Sequence, residues 1–306
     1  MKQAIKLLIK ILWLLIPFAL ILFYLEFNLP KITNSYNKKH RDFTLKFKTT
    51  DYIITGNSHA IKGIDPAEIS PQCYNLANVS QSLYYDAALV LKYIDQMPSL
   101  KGVIIPVSYY SLQVKLSETS EEWRGDYYQK FWGTSENKKI SWIKTHSYVS
   151  LYTPTLSIKY AFKGFNTDLV PEIDANGFQH TDTVNYNYSK TSGAERIAFH
   201  HSIMKEENIK INTEYLDSLL KILAARNIKA YLITIPVHPY YREGENANII
   251  NQNETILNTL ANKYKAVFIH DLTETGNFQD ADFLDNDHLN TRGARKLSKL
   301  IKTYLP

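Results

Sequence analysis

Apolar positions along this chain fall into one long run and several short ones, and the difference in length separates their roles. Residues 7–25 are apolar apart from Lys10, a stretch of about 19 residues that is long enough to cross a bilayer. Lys10 lies near enough to the start to snorkel towards the headgroups. No small-x-small cleavage site follows, so the pattern predicts an uncleaved anchor over residues 1–28 in preference to a removed signal peptide. Residues 29–49 are polar and basic and read as a tether.

Beyond residue 50 the apolar runs are short and alternate with helical periodicity. Runs at 51–54, 73–77, 102–106, 230–234 and 266–270 read as strands, the third buried on both faces because it is continuously apolar. Between them, residues 84–96, 212–226, 248–264 and 290–304 carry apolar stripes at helical spacing. Strand and helix in alternation predict an α/β domain: a three-layer α/β/α sandwich around a five-stranded, mostly parallel sheet, spanning 50–306. The alternation breaks at about 112–209, an aromatic-rich insertion expected to cover the carboxyl end of the sheet. Its rings, among them Trp123, Tyr128, Trp132, Trp142 and Phe162, either offer a stacking platform for a sugar polymer or form the insertion's own core.

Composition narrows the function without naming it. The chain has 306 residues, 44% of them hydrophobic and 21% charged, which is globular. The net charge of +5 is spread along the chain, so no nucleic-acid partner is expected. A single cysteine, Cys73, excludes an internal disulfide and is expected to be a buried, inert thiol. His200 and His201 do not predict a metal site, because adjacent side chains diverge and no third ligand is suitably spaced. Neither a metal nor a cofactor is expected.

Two stretches carry candidate chemistry. Thr55-Gly56-Asn57-Ser58-His59 follows the first strand directly, where a turn would lift the Ser58 hydroxyl off the sheet edge. The same residues also suit an ordinary strand-ending turn. The partner stretch is Asp285-Asn286-Asp287-His288-Leu289-Asn290, just before the last helix. A serine needs a base, and an imidazole base needs a carboxylate to hold its tautomer, so Ser58, His288 and Asp285 form a candidate catalytic set. Asp65, before Pro66 and Glu68, is expected to cap a helix through a capping box. His238 and Arg242, in a loop at the end of the fourth strand, and Tyr109, after the third, are candidates for substrate contact.

Gly-Asn-Ser-His early and Asp-x-x-His-Leu-Asn before a final helix with Gly293-Ala294 resemble the first and last blocks of the SGNH (GDSL-type) hydrolase superfamily. The resemblance covers about residues 50–110 and 210–306 and points to its membrane-anchored bacterial branch, which includes proteins of alginate O-acetylation and teichoic-acid D-alanylation. It implies a flavodoxin-like sheet and an esterase or O-acyltransferase acting on small acyl groups, acetyl above all, of an envelope or exported polysaccharide. It also implies an oxyanion site at the Ser58 N–H, with Ser80 standing where the family has glycine and Asn78 beside it. The family's Gly-x-Asn-Asp block is replaced by Pro106-Val107-Ser108-Tyr109-Tyr110. Losing one oxyanion donor costs about 100- to 1000-fold in rate. Either Ser108, Asn78 or a backbone N–H substitutes, or the chemistry is slow or absent. In the last case the chain is a non-catalytic assembly protein beside a membrane-bound O-acyltransferase partner. Lysines on both sides of the apolar run leave orientation in the cytoplasmic membrane open by charge; the resemblance implies an extracytoplasmic domain.

Overall fold

In the computed structural model, described over residues 2–136, 142–181, 188–270, 272 and 278–306, a parallel sheet forms the middle layer. Its strands are β1 (Tyr52–Ile54), β2 (Tyr74–Asn75), β3 (Gly102–Pro106), β4 (Lys229–Ile233) and β5 (Val267–Ile269), in the order β2-β1-β3-β4-β5. Every pairing is parallel, so the expectation of a mostly parallel five-stranded sheet is met. The helices in chain order are α1 (Lys2–Asn28), α2 (Ser35–Lys46), α3 (Ser58–Gly63), α4 (Pro66–Ile69), α5 (Leu83–Tyr93), α6 (Arg124–Tyr127) and α7 (Trp142–His146). They continue with α8 (Pro154–Lys163), α9 (Lys190–Ile203), α10 (Asn208–Ala225), α11 (Pro239–Arg242), α12 (Ala247–Tyr264) and α13 (Thr291–Lys302).

Side-chain alternation explains the layers. Ile53, Val103, Ile105 and Leu232 enter the core shared with α5, α10 and α12. Their neighbours Ile54, Ile104, Tyr231 and Ile233 enter the opposite core, shared with α3, α4 and α13. Successive strand residues point to opposite faces, so one continuous apolar run fills both cores. A methyl group on Gly102 would sit 2.9 Å from the Tyr52 ring and 3.0 Å from that of Tyr231, which is why β3 begins with a residue that has no side chain.

The segment read as a tether is structured. Asn34 and Asn37 close a reciprocal capping box, Asn34 Oδ1 accepting from the N–H groups of Tyr36 (3.0 Å) and Asn37 (3.1 Å), and α2 follows. Tyr36, Lys39 and Phe43 share one stripe, and all three are buried. Phe43 packs on Tyr74, Tyr93 and Trp132. Lys39 donates to the carbonyls of Asn75 (2.9 Å) and Ala77, just past the end of β2. Burial pulls its ammonium well below the usual lysine range, with Asp174 opposing. The many charges in this stretch hide a short amphipathic helix that fastens onto β2.

The insertion's rings are largely core. Tyr127, Tyr128 and Trp132 join the main core, while Tyr152, Tyr160 and Phe165 form a separate cluster with Leu29 and Ile32. Two stretches of the insertion, 137–141 and 182–187, lie outside the described residues. Asp65 caps α4 by accepting from the Ala67 N–H (3.0 Å), but Glu68 does not close the expected box and faces Lys299 instead. Cys73 is buried and unpaired.

If α2 belongs to the fold, Phe43→Ala should destabilise the domain by about 3–5 kcal/mol in chemical denaturation. A tether would lose nothing measurable.

Candidate active site

The first strand and the last helix meet at the carboxyl edge of the sheet. Gly56 turns the chain there with φ +113°, and an added methyl group would sit 3.0 Å from that of Ala60, so the turn needs glycine twice over. Asn57 caps α3 by accepting from the His59 N–H (3.0 Å), which leaves Ser58 as the first helical residue. Its N–H has no acceptor within the helix and points, as first-turn N–H groups do, beyond the helix start.

The partner loop is held as tightly. Asp285 Oδ1 accepts from the backbone N–H groups of Asp287 (3.1 Å) and His288 (2.8 Å), winding 285–288 into one turn. Leu284 and Leu289 are held by a backbone bond from Leu284 N–H to His288 O (2.9 Å) and a bridge between Phe283 and Leu289. Asn290 caps α13 by accepting from Gly293 N–H (3.0 Å) and donates to the carbonyls of Ala281 and Phe283. A methyl group on Gly293 would sit 2.1 Å from the Asp282 carbonyl oxygen, so only glycine lets α13 lie against this loop.

Across this edge His288 Nε2 is 2.9 Å from Ser58 Oγ, while Nδ1 is 2.9 Å and 3.0 Å from the two oxygens of Asp285. The tautomer that fits both contacts carries its proton on Nδ1, donating to the carboxylate, and accepts from the serine hydroxyl at Nε2. A second carboxylate, Asp287, lies 3.3 Å from the same Nδ1 and is far more buried than Asp285. It is clamped by Arg196 Nε (2.7 Å) and faces His59 Nε2 (3.4 Å). Burial alone would raise its pKa, but His288 and His59 hold it well below the usual carboxylate range. Burial opposes protonation of His288 too, yet the Asp287 charge and the Asp285 hydrogen bond outweigh it and raise its pKa. Asp285 therefore has the geometry of the orienting acid, and Asp287 supplies field from below.

Ser58 and His288 line a cavity of about 240 Å³ together with Asn57, Ser80, Tyr110 and Arg196. Ser80 has a left-handed backbone, φ +57°, the conformation that glycine adopts without cost. Its hydroxyl donates to Glu121, which in turn holds Arg124 (2.8 Å), so the loop is pinned with Ser80 on the cavity wall. Below, buried Asp86 accepts from the N–H of Gly56 (2.7 Å) and from Gln81 (2.6 Å), tying the serine turn to the Ser80 loop. Its burial pushes that carboxyl up to about 7.

Other expected contacts lie elsewhere. Asn78 does not line this cavity: its side-chain oxygen accepts from Val79 N–H (2.9 Å) and its own N–H donates to the Gly56 carbonyl (3.1 Å). Ser108 is bound to Asn57 Nδ2 (3.1 Å) and His59 Nδ1 (3.1 Å), behind the serine turn instead of over it. Tyr109 and Arg242 line a neighbouring cavity of about 280 Å³, and the Tyr109 hydroxyl bonds His201 Nε2 (2.9 Å) and Asn246 N–H (2.9 Å). His238 is buried, caps α11, stacks on Tyr188 and donates its N–H to the Asn286 carbonyl (3.0 Å), which makes it a support of the 285–288 loop. None of the insertion rings read as a sugar platform lines the Ser58 cavity; the insertion covers it with α9, through Arg196, Phe199 and His200.

Histidines 200 and 201 do diverge: His200 Nδ1 meets the Tyr241 hydroxyl (2.6 Å) and its ring lies 4.0 Å from that of Tyr110, while His201 turns to Tyr109. Burial first, then Arg196 and His59, push His200 down to about 2, so it stays neutral. His59, Asp287 and His288 bring three ligand atoms within 4.8 Å, close enough in principle for a cation. Arg196 already neutralises Asp287 there, and His288 Nδ1 faces Asp285, so a metal would have to displace both contacts. Arg196 carried no signal in the sequence, while His59 and Tyr110 lay inside the quoted Gly-Asn-Ser-His and 106–110 stretches without a role of their own. Only the Asp-x-x-His pattern could have drawn attention to Asp287, which it contains.

No protein-family model matches this chain, and no curated protein matches it. Among solved structures, one provisionally described as a platelet activating factor, from Streptococcus pneumonia, is 13% identical over 100% of both chains, with a TM-score of 0.42. A GDSL-like lipase from Bacteroides thetaiotaomicron is 13% identical over 89% of this chain and 98% of its own, with a TM-score of 0.41. A protein provisionally described as an acylhydrolase, from Bacteroides fragilis, is 12% identical over 88% of this chain and 93% of its own, also at 0.41. Superpositions this loose, between sequences this different, carry no inference about activity.

The two carboxylates should separate in kinetics. Asp285→Asn should cut reactivity at Ser58 by about 10,000-fold through the wrong tautomer. The base works only when deprotonated, so activity should rise with pH through a midpoint above the ordinary imidazole value of about 6.5. Asp287→Asn should shift that midpoint to lower pH with a much smaller loss. Equal losses, or no shift, would reassign the acid.

Proposed function

We propose that the protein is a serine esterase or O-acyltransferase, tethered by α1 in the cytoplasmic membrane with its α/β domain on the extracytoplasmic side. The observation that carries this reading is the unbroken chain from Ser58 Oγ to His288 to Asp285, each link 2.9 Å long. Ser58 attacks an ester carbonyl while His288 Nε2 takes the hydroxyl proton. The oxyanion forms opposite the Ser58 N–H, with the Ser80 N–H as the second donor. Collapse expels the alcohol, which receives the proton from His288 and leaves an acyl group on Ser58. Water or a sugar hydroxyl then gives its proton to His288 and takes the acyl group, and His288 passes that proton to the departing Ser58 Oγ.

Substrate class follows from the cavity and the resemblance together. At about 240 Å³ the space is small beside the 300–1,000 Å³ or so of typical ligand pockets, which suits a short acyl group such as acetyl. Its wall offers Lys62 and several serines as partners for a hydroxyl-rich alcohol, among apolar Val79, Leu83, Val114, Phe199 and Ile203 that suit the acyl group. The sequence resemblance adds the envelope or exported polysaccharide as acyl carrier, and α1, unburied over its most apolar 18 residues, adds the membrane.

One observation favours a second reading. Ser108 is spent on Asn57 and His59, so within the stretch that replaces Gly-x-Asn-Asp only the Tyr110 hydroxyl, itself hydrogen-bonded to Ser58, reaches the cavity. A body weakened in this way could serve as a docking platform beside a membrane O-acyltransferase.

A fluorophosphonate probe separates the two. Labelling at Ser58 that disappears in Ser58→Ala and falls at least about 1,000-fold in His288→Ala supports the enzyme. An unlabelled protein, with Ser58→Ala leaving the cellular phenotype unchanged, supports the platform.

A further inference from the structure

The insertion does more than cover the cavity: it grips the end of α1. Glu26, in the last turn of that helix, accepts from Ser147 Oγ (2.9 Å) and from the N–H groups of Tyr148 (2.6 Å) and Val149 (3.0 Å). Leu29 and Ile32 are buried in one cluster with Tyr152, Tyr160 and Phe165, and Tyr24 meets Phe165 edge-on at 5.7 Å. The grip begins where the apolar run of α1 ends. From Leu7 to Leu25 that run rises roughly 27 Å, close to the thickness of a bilayer's hydrocarbon core.

Beside this junction the insertion exposes large apolar side chains, of which Trp142 stacks on His146 and still faces solvent. Trp142 is 72% exposed and Phe162 89%, with Ile143 and Ile158 more than half exposed. Both groups lie close in the chain to the α1 contacts: Ser147 N–H donates to Ile143 O (2.8 Å), and Phe162, in the last turn of α8, is followed by the Gly164 cap and then Phe165. Exposed Lys159 and Lys163 flank them on α8. Rings and branched aliphatics with lysines beside them, at the height where a helix leaves the hydrocarbon, have the composition of an interfacial belt.

We propose that Trp142, Ile143, Ile158 and Phe162 form a second membrane contact, seated in the headgroup region of the bilayer that α1 crosses. The inference rests on reading α1 as a membrane span. Its occupant is lipid, since these apolar side chains flank the residues that hold the end of the unburied α1 and their neighbouring lysines match anionic headgroups. The insertion then fixes the height and tilt of the α/β domain over the membrane, and the domain does not swing on a loose tether.

The test uses the full chain in nanodiscs of phosphatidylglycerol and phosphatidylethanolamine with brominated acyl chains. An environment-sensitive dye is attached in turn at Phe18→Cys in α1, Phe162→Cys in α8 and Asn251→Cys on exposed α12. The proposal expects bromine to quench positions 18 and 162 and to leave position 251 unchanged. Quenching at 18 without quenching at 162 overturns the second contact while the span stands. A dye at 162 that is shielded from water but not quenched means a protein partner covers the face, which also overturns it. Absence of quenching at both 18 and 162 removes the span and the contact together.

Discussion

One hydrogen bond, between residues 230 positions apart in the chain, organises this molecule: His288 Nε2 to Ser58 Oγ. It forms only if β1 ends where it does, if the turn at Gly56 starts α3 immediately, and if the loop before α13 returns to the same sheet edge. The parallel sheet meets all three conditions, because every strand delivers its carboxyl end to one side. Much of the surrounding structure then serves to keep two short segments still. Asp86 locks the serine turn to the Ser80 loop, and the Asp285 turn and the Asn290 cap lock the histidine.

Electrostatics around the imidazole divides labour between two carboxylates. Asp285 meets the ring through a bidentate contact and is partly exposed; Asp287 is buried, paired with Arg196 and in contact with His59. A buried anion with a close guanidinium partner can stay ionised, whereas the same group alone would be forced to protonate. The result is an imidazole held in one tautomer by one residue and raised in pKa by another. Neutral His200 and Tyr110, their rings tilted against each other at 4.0 Å, line the cavity without adding charge.

The sheet was readable because buried parallel strands are short continuous apolar runs, as at 102–106, and the helices between them repeat at helical spacing. Ser58, His288 and Asp285 were readable because each lies in a local pattern at a strand or helix end. What escaped depended on tertiary direction. Nothing local says that the loop after β3 turns Ser108 behind the serine, or that Tyr109 and Arg242 face the neighbouring cavity while Tyr110 faces Ser58. Arg196 is brought to Asp287 by a helix 91 residues away, so no spacing rule could pair them. The α2 helix was hidden for a different reason: its buried stripe includes Lys39, a residue type that almost never counts as core.

The most direct test is an experimental structure of the full chain after reaction with a small alkyl fluorophosphonate. The account predicts phosphorus bonded to Ser58 Oγ, the phosphoryl oxygen facing the N–H groups of Ser58 and Ser80, and His288 still held by Asp285. An unmodified Ser58, or an adduct whose oxygen turns away from both N–H groups while His288 swings out, would contradict it.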